Sequence, residues 1–120
     1  MNSLISHRGP DSQDALYDAG VGLGHVRLSI LDLSSGANQP MHSSSGRYVI
    51  VFNGAIYNFL ELKKLIQKKN NINFLTSSDT EVLINLIDCY GVEEATKLIE
   101  GMFAFCVFDK KNNSLYLVRD

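Results

Sequence analysis

An asparagine and a glycine follow a strongly apolar run, and both can offer N–H donors at a fixed place. The run is Tyr48-Val49-Ile50-Val51-Phe52, and Asn53-Gly54 comes directly after it. The Asn53 side-chain amide can donate a hydrogen bond, and Gly54 can present its backbone N–H without a side chain in the way. A buried strand would hold both donors rigidly, which stabilisation of a negatively charged oxygen requires. The competing interpretation is an Asn-Gly turn, which is common at strand ends.

Two charged residues could each bind a group of opposite charge. Arg27 follows an extended stretch, and its planar guanidinium can form two parallel bonds to a carboxylate, although a surface ion pair is the alternative. Asp79 lies in Ser78-Asp79-Thr80-Glu81, where an acid in the first turn of a helix is favoured by capping and by the helix dipole. Because a carboxylate has two oxygens, a structural role and a ligand-binding role can coexist at Asp79.

Charge and composition argue against several kinds of partner. The 120 residues carry a net charge of −2, and we interpret the one basic cluster as a solvated helix face, so no nucleic-acid surface is predicted. That cluster consists of Lys63, Lys64, Lys68 and Lys69. No apolar run approaches the ~20 residues needed to cross a membrane, and the first residues do not form a signal peptide. We expect a cytoplasmic protein.

The cysteines and histidines predict neither a disulfide framework nor a metal site. Cys106 lies in the apolar run 102–108 and Cys89 lies near a helix end, and we interpret both as core residues. The three histidines, His7, His25 and His42, are far apart in the sequence and lack the spacing of a helical metal pair. No metal site is therefore predicted.

Extended segments are predicted at residues 21–30, 47–52 and 102–109. The runs 48–52 and 102–108 are apolar at every position, which predicts strands covered on both faces. Residues 43–46 read as a turn between strands, and residues 110–113 as the turn of a hairpin that ends in a strand over 115–118.

Amphipathic helices separate these strands. Asn58 and Glu61 have the spacing of a capping box, and Ser78 and Glu81 repeat it before a second helix that Gly91 ends. A third short helix is predicted over residues 93–99. Buried strands interleaved with such helices imply a layered α+β domain, and the physical pattern alone does not name a reaction.

Six short segments in a fixed order resemble the amino-terminal glutaminase domain of glutamine-dependent asparagine synthetases. They are His7-Arg8-Gly9-Pro10-Asp11, Gly24-His25-Val26-Arg27-Leu28-Ser29-Ile30, Asn38-Gln39-Pro40-Met41, Asn53-Gly54-Ala55-Ile56-Tyr57-Asn58, Ser78-Asp79-Thr80-Glu81-Val82 and Gly101-Met102-Phe103-Ala104-Phe105. The resemblance covers essentially the whole chain. It implies a class II amidotransferase with the four-layer αββα N-terminal-nucleophile hydrolase fold, and we expect residues 1–120 to be a partial domain that lacks the first strand and the C-terminal strands.

The resemblance also implies roles for individual residues. Asn53 and Gly54 match the oxyanion hole that stabilises the tetrahedral intermediate of glutamine hydrolysis. Arg27 matches the arginine that binds the glutamine α-carboxylate, and Asp79 matches the acid that takes the α-ammonium group. Leu28, Ile30 and Leu31 match positions that frame the same pocket; otherwise they are simply core residues.

Two features depart from the family pattern. The family nucleophile is a cysteine exposed after methionine removal and activated by its own α-amino group. Here Asn2 follows Met1 and no cysteine precedes Cys89, so we expect the chain to lack its nucleophile and to be inactive alone. Ala55 stands where asparagine synthetases usually carry a glutamate, and this loss of an acceptor could weaken glutamine binding.

The resemblance therefore predicts the glutaminase part of an asparagine synthetase, which supplies ammonia for ATP-dependent amidation of aspartate. No cofactor is expected in this domain; ATP and Mg²⁺ are expected in a C-terminal synthetase domain, and glutamine is the small-molecule partner. Homo-oligomerisation is left open. Two alternatives remain: an amidotransferase-like domain that serves another acceptor, such as a surface polysaccharide or a secondary metabolite, and a degenerate domain that binds glutamine or a partner without catalysis.

Overall fold

The computed structural model describes residues 39–120 in full and the backbone of residues 12–18 and 21–27. Within these ranges, strands β1 (Ser12–Asp18) and β2 (Val21–Arg27) pair antiparallel in a sheet of two described strands. The predicted extended segment over residues 21–30 is confirmed as far as Arg27. The rest of it, residues 28–30, lies outside the described residues.

A second sheet, with four strands, contains the residues that concern the site. The strands are β3 (Met41–His42), β4 (Tyr48–Ile56), β5 (Gly101–Asp109) and β6 (Ser114–Arg119). They pair in the order β3-β4-β5-β6, and each neighbouring pair is antiparallel. Three helices connect β4 to β5: α1 (Phe59–Lys69), α2 (Asp79–Tyr90) and α3 (Val92–Leu98). The predicted turn at 43–46 and the predicted terminal hairpin are both confirmed.

The helices cover one face of this sheet. Alternate residues of β4 and β5 point toward them, and Ile50, Phe52 and Val107 join the buried side chains of α2 in one hydrophobic cluster. The opposite face has a smaller cluster around Val49 and Phe108. Both faces of β4 are thus covered from Tyr48 to Ile50, as its apolar run predicts.

Coverage on both faces is wrong as a prediction for the first half of β5. Met102 is 65% exposed and Ala104 is also exposed, whereas the residues from Phe105 to Asp109 are buried or half-buried. An apolar run does not reveal where along its length the covering elements end.

The second helix begins and ends at the predicted residues. Ser78 caps α2 by accepting a hydrogen bond from the Thr80 N–H at 3.0 Å, and Gly91 closes the helix with φ +87°. Glu81, the acid of the predicted capping box, bonds the preceding loop instead of the cap residue. Its carboxylate accepts from the N–H groups of Leu75 and Thr76 at 2.8 and 2.7 Å. It therefore fixes the loop that precedes α2.

The capping box predicted at α1 is wrong. Asn58 precedes the helix, but its side chain makes no capping hydrogen bond. Its amide nitrogen donates to the Leu98 carbonyl at 2.9 Å, and its amide oxygen accepts from the Glu100 N–H at 3.0 Å. Both polar atoms are used to attach the end of β4 to the segment that leads into β5.

The start of β4 is closed by a charged pair. Two nitrogens of Arg47 each donate to one Asp109 carboxylate oxygen, both at 2.8 Å. Asp109 also accepts from the Lys111 N–H at 3.0 Å and from the Asn112 side chain at 3.1 Å, which orders the β5–β6 turn. The Arg47 guanidinium holds the pKa of the buried Asp109 carboxyl below its usual value.

Candidate functional site

Asn53 and Gly54 lie inside β4, not in a turn that follows it. Asn53 pairs with Ala104 and Gly54 with Phe103 in the β4–β5 ladder. Gly54 has φ +135°, and a Cβ there would lie 2.1 Å from the Met102 carbonyl oxygen. Only glycine fits this close approach of two backbones. The Asn-Gly turn is therefore wrong for this pair.

Backbone donors alternate along β4, and one edge of the strand presents three of them near its end. In an antiparallel ladder successive residues direct their N–H groups to opposite edges, so Phe52, Gly54 and Ile56 direct theirs away from β5. We call this edge, over residues 52–56, the outer edge of β4. Within the described part of the chain, β3 reaches β4 only at Val49 and Ile50, so no strand pairs there.

Side chains take the first and last of these donors. The Phe52 N–H donates to the Gln39 side-chain oxygen, and the Ile56 N–H donates to the Asp79 carboxylate at 2.9 Å. Between them, the Gly54 N–H meets no side-chain acceptor among residues 39–120. The outer edge of β4 thus presents a donor at Gly54 that is held in place on both sides.

Asp79, in the first turn of α2, is buried at this edge. It bonds the N–H of Ile56, which lies two residues after Gly54 in β4. It is only 6% exposed, and burial raises the pKa of its carboxyl, while hydrogen bonds from backbone N–H groups oppose the rise. No cationic side chain pairs with it among residues 39–120. Asp79 therefore combines the predicted helix-start position with a buried carboxylate that lacks a positive partner in that range.

The Asn53 side chain is exposed and lies beside a groove of about 450 Å³. Most of the groove is apolar, and its lining includes no acidic residue. The lining residues are Val51, Phe52, Asn53, Ala104, Phe105, Cys106, Leu117, Val118 and Arg119. An α-ammonium group bound there would meet no carboxylate from residues 39–120, whereas Asp79 lies at the outer edge of β4.

Of the other predicted site residues, the structure describes Ala55 in full and only the backbone of Arg27. Ala55 is half-buried in β4 between Gly54 and Ile56, and its carbonyl oxygen would lie 2.0 Å from a Cβ at Gly101. The backbone of Arg27 ends β2, which lies against β4. The predicted pocket residues Leu28, Ile30 and Leu31 lie outside the described residues.

Gln39 is a buried residue of the site to which the sequence alone assigns no role, although it lies in the segment Asn38-Gln39-Pro40-Met41. Gln39 is 7% exposed and connects β4 to the first turn of α2. The available signal was a long polar residue directly before Pro40. A buried amide in such a place needs partners for both its ends.

Neither cysteine has the features of a reactive thiolate. Burial raises the pKa of both the Cys89 and the Cys106 thiols, and no cation among residues 39–120 lowers either pKa. Both pack against hydrophobic clusters, as predicted for core residues.

Over the described ranges, no three His, Cys, Asp or Glu side chains lie together as a metal site would require. None of the helices in those ranges is long and apolar enough to cross a membrane.

Comparison with known families places the whole sequence in one of them. The profile of the glutamine amidotransferase domain matches residues 1–120. The chain belongs to this family. Similar proteins include the glutamine-hydrolysing asparagine synthetase 1 of Bacillus subtilis, which is 46% identical over 120 residues covering 100% of this chain and 18% of that protein.

A second relative is a putative glutamine-hydrolysing asparagine synthetase 2 of Methanocaldococcus jannaschii. It is 40% identical over 138 residues, covering 100% of this chain and 26% of that protein. The chain of this glutamine amidotransferase domain thus spans about a fifth to a quarter of the length of these two relatives.

A solved structure supports the predicted fold. The glutamine phosphoribosylpyrophosphate amidotransferase of B. subtilis, complexed with ADP and GMP, superposes with a TM-score of 0.67 at 26% identity, covering 82% of this chain and 23% of that one. The predicted α+β N-terminal-nucleophile hydrolase fold of the amidotransferases is confirmed.

Proposed function

We propose that residues 1–120 are part of the glutamine-hydrolysing domain of an asparagine-synthetase-like amidotransferase. In this proposal the full-length protein hydrolyses glutamine here and uses the ammonia in a synthetase domain, where ATP and Mg²⁺ support the amidation of aspartate. The observation that carries the proposal is the Gly54 N–H on the outer edge of β4, between two anchored neighbours and beside a buried acid.

The first element of the proposal is an oxyanion hole at Asn53 and Gly54. Attack on the side-chain amide of glutamine places negative charge on its oxygen, and donors fixed in advance stabilise that charge with little reorganisation. Gly54 would supply its N–H and Asn53 its side-chain amide. The close contact between Gly54 and the Met102 carbonyl leaves this part of β4 little freedom to move.

The second element is the recognition of glutamine as an amino acid. Asp79 is buried, and no cationic side chain pairs with it among residues 39–120, so the α-ammonium group of glutamine would complete its environment. Its Oδ2 accepts from the Ile56 N–H, and backbone N–H groups of the first turn of α2 also bond the carboxyl, so the carboxylate is held in place for the ligand. We assign the α-carboxylate to Arg27, because a guanidinium binds a carboxylate through two parallel bonds.

The remaining pocket assignments follow the family resemblance. Leu28, Ile30 and Leu31 would frame the cavity, and Ala55 would lie near the glutamine head group without offering it an acceptor. We assign the nucleophile of the reaction to neither Cys89 nor Cys106, because burial raises the pKa of both thiols and so disfavours the thiolate that attacks. The proposal therefore assigns this part of the domain to oxyanion stabilisation and substrate binding.

The test is glutamate release from glutamine by the full-length protein. Asn53→Ala removes one oxyanion donor, and we expect kcat to fall by about 10²–10³-fold with a much smaller change in KM. Asn70→Ala is a matched control, because Asn70 follows α1 and bonds the Cys89 sulfur, away from the outer edge of β4.

Two results would count against the proposal. An unchanged kcat in Asn53→Ala would remove the oxyanion assignment. A parental protein that binds glutamine without releasing glutamate would instead favour the degenerate binding domain.

A further inference from the structure

Gln39 is a buried amide whose two ends hold two different elements. Its side-chain oxygen accepts from the Phe52 N–H of β4, and its amide nitrogen donates to the Thr80 hydroxyl in the first turn of α2 at 3.4 Å. With 7% of its surface exposed, it has little access to water that could replace either partner.

The backbone fixes which way this amide points. The Phe52 N–H is a donor, so it requires the amide oxygen of Gln39 and not the nitrogen. The nitrogen must then face α2, where the Thr80 hydroxyl can accept. The amide therefore has one orientation that satisfies both contacts.

The two partners of Gln39 are each next to a residue of the proposed site. Phe52 directly precedes Asn53, and Thr80 directly follows Asp79. We propose that Gln39 is a positioning residue of glutamine hydrolysis: it aligns the oxyanion donors of β4 with the turn of α2 that carries Asp79. This inference rests on the function proposed above and assigns Gln39 no contact with glutamine.

Loss of the hydrogen bond between Gln39 and Phe52 should lower the rate of the reaction, and not only the stability of the fold. The buried Phe52 N–H would lose the Gln39 acceptor, and the strand could respond by shifting at the residue beside Asn53. A small displacement of catalytic donors lowers the rate steeply, by up to about 10²-fold for 1 Å. Asp79 retains its own bond to the Ile56 N–H, so the binding of glutamine is affected less.

Asn85 provides a matched control on the same helix. It is 2% exposed, and its amide oxygen accepts from the N–H and the hydroxyl of Ser44 at 2.9 and 2.7 Å. Like Gln39, it is a buried amide that connects α2 to the chain around β4. It does so at the β3–β4 turn, at the opposite end of the strand from Gly54.

The experiment compares glutamine hydrolysis and thermal unfolding for full-length variants. We expect Gln39→Met to lower kcat by roughly 10–100-fold and to change KM by less than about threefold. Gln39→Glu keeps an acceptor for the Phe52 N–H, and the Thr80 hydroxyl can turn to donate, so most of the kcat should return. Asn85→Leu should lower the unfolding temperature by a similar amount while kcat stays within about twofold of the parental value.

The outcomes separate this inference from the proposed function. A parental protein that releases no glutamate overturns the function and this role with it. An active parent whose kcat is unchanged in Gln39→Met, or lowered equally in Asn85→Leu, overturns the positioning role alone. If Gln39→Met does not fold, Thr80→Val decides: a lower kcat at unchanged KM supports the role, and an unchanged kcat overturns it.

Discussion

A buried aspartate lies beside each end of β4, and the pKa values of the two carboxyls are shifted in opposite directions. At the start of the strand, Asp109 receives two hydrogen bonds from Arg47, both 2.8 Å long, and its pKa is lowered. At the far end, Asp79 receives backbone N–H groups but no cationic side chain from residues 39–120, and its pKa is raised by burial.

This difference indicates that Asp109 has a structural role, whereas Asp79 can bind a ligand. A buried carboxylate is stabilised when a cation and hydrogen bonds replace its hydration, and Asp109 has both. Within residues 39–120, Asp79 has hydrogen bonds but no cationic partner, and no side chain accepts from the nearby Gly54 N–H. A buried acid and a fixed N–H arranged in this way are suited to a ligand with a positive and a negative centre.

The largest effect should come from adding one methyl group at the far end of β4. In Gly54→Ala the new Cβ would meet the Met102 carbonyl oxygen at 2.1 Å, so the strands must separate and the oxyanion donors must move. We expect glutamine hydrolysis to fall at least ~100-fold. Gly46→Ala is the control, because Gly46 also has positive φ but open space around it, and it should cost about 1 kcal/mol while leaving kcat intact. Equal losses of activity in both variants would contradict the account.

Removing the charge of Asp79 while keeping its shape should change binding more than folding. In Asp79→Asn the amide oxygen can still accept from the Ile56 N–H, so the anchor between α2 and β4 is kept. The charge for the α-ammonium group is lost, and we expect the KM for glutamine to rise by roughly 10–100-fold with kcat changed far less. Steady-state kinetics beside thermal unfolding tests this, and an unchanged KM would remove Asp79 from the substrate site.

The same substitution at the other aspartate should have the opposite pattern. Asp109→Asn weakens the bonds from Arg47, and we expect the free energy of unfolding to fall by about 2 kcal/mol while KM and kcat are unchanged. Denaturant unfolding measures the first and glutamate release the second. A change in KM would show that the two ends of β4 are coupled.

The pH dependence of these two variants sharpens the comparison. The folded-state pKa of Asp109 is lowered, so its contribution to stability is present above its unfolded pKa and is lost as pH falls through the folded value. Asp109→Asn should therefore be least harmful in acid.

The folded-state pKa of Asp79 is raised, so its contribution to stability is present below the unfolded pKa and is lost as pH rises through the folded value. Asp79→Asn should be at least as stable as the parent at neutral pH, and any gain should vanish in acid.

Local patterns predicted the elements of the fold well where local contacts decide them. The cap at Ser78 and the stop at Gly91 depend on backbone atoms a few residues away, and both lie where the sequence places them. Asn58 has the same local signal as Ser78, yet its partners are about 40 residues distant at Leu98 and Glu100. Spacing within a segment carries no information on such contacts.

The candidate site was predictable by residue type but not by geometry. The Asn53-Gly54 pair reads locally as a turn, and only its register against β5 shows that it continues a strand with a backbone approach that requires glycine. The role of Gln39 depends on the folding of β4 against α2, so no periodicity of the sequence reveals it. The positions of the Arg27 side chain and of Leu28, Ile30 and Leu31 stay predictions.

The most direct test is a crystal structure of the full-length protein with glutamate, the product of the proposed reaction. We predict that one side-chain carboxylate oxygen of glutamate lies about 3 Å from the Gly54 nitrogen and that the α-ammonium group contacts the Asp79 carboxylate. Glutamate bound away from the outer edge of β4, or with its ammonium group remote from Asp79, would contradict it.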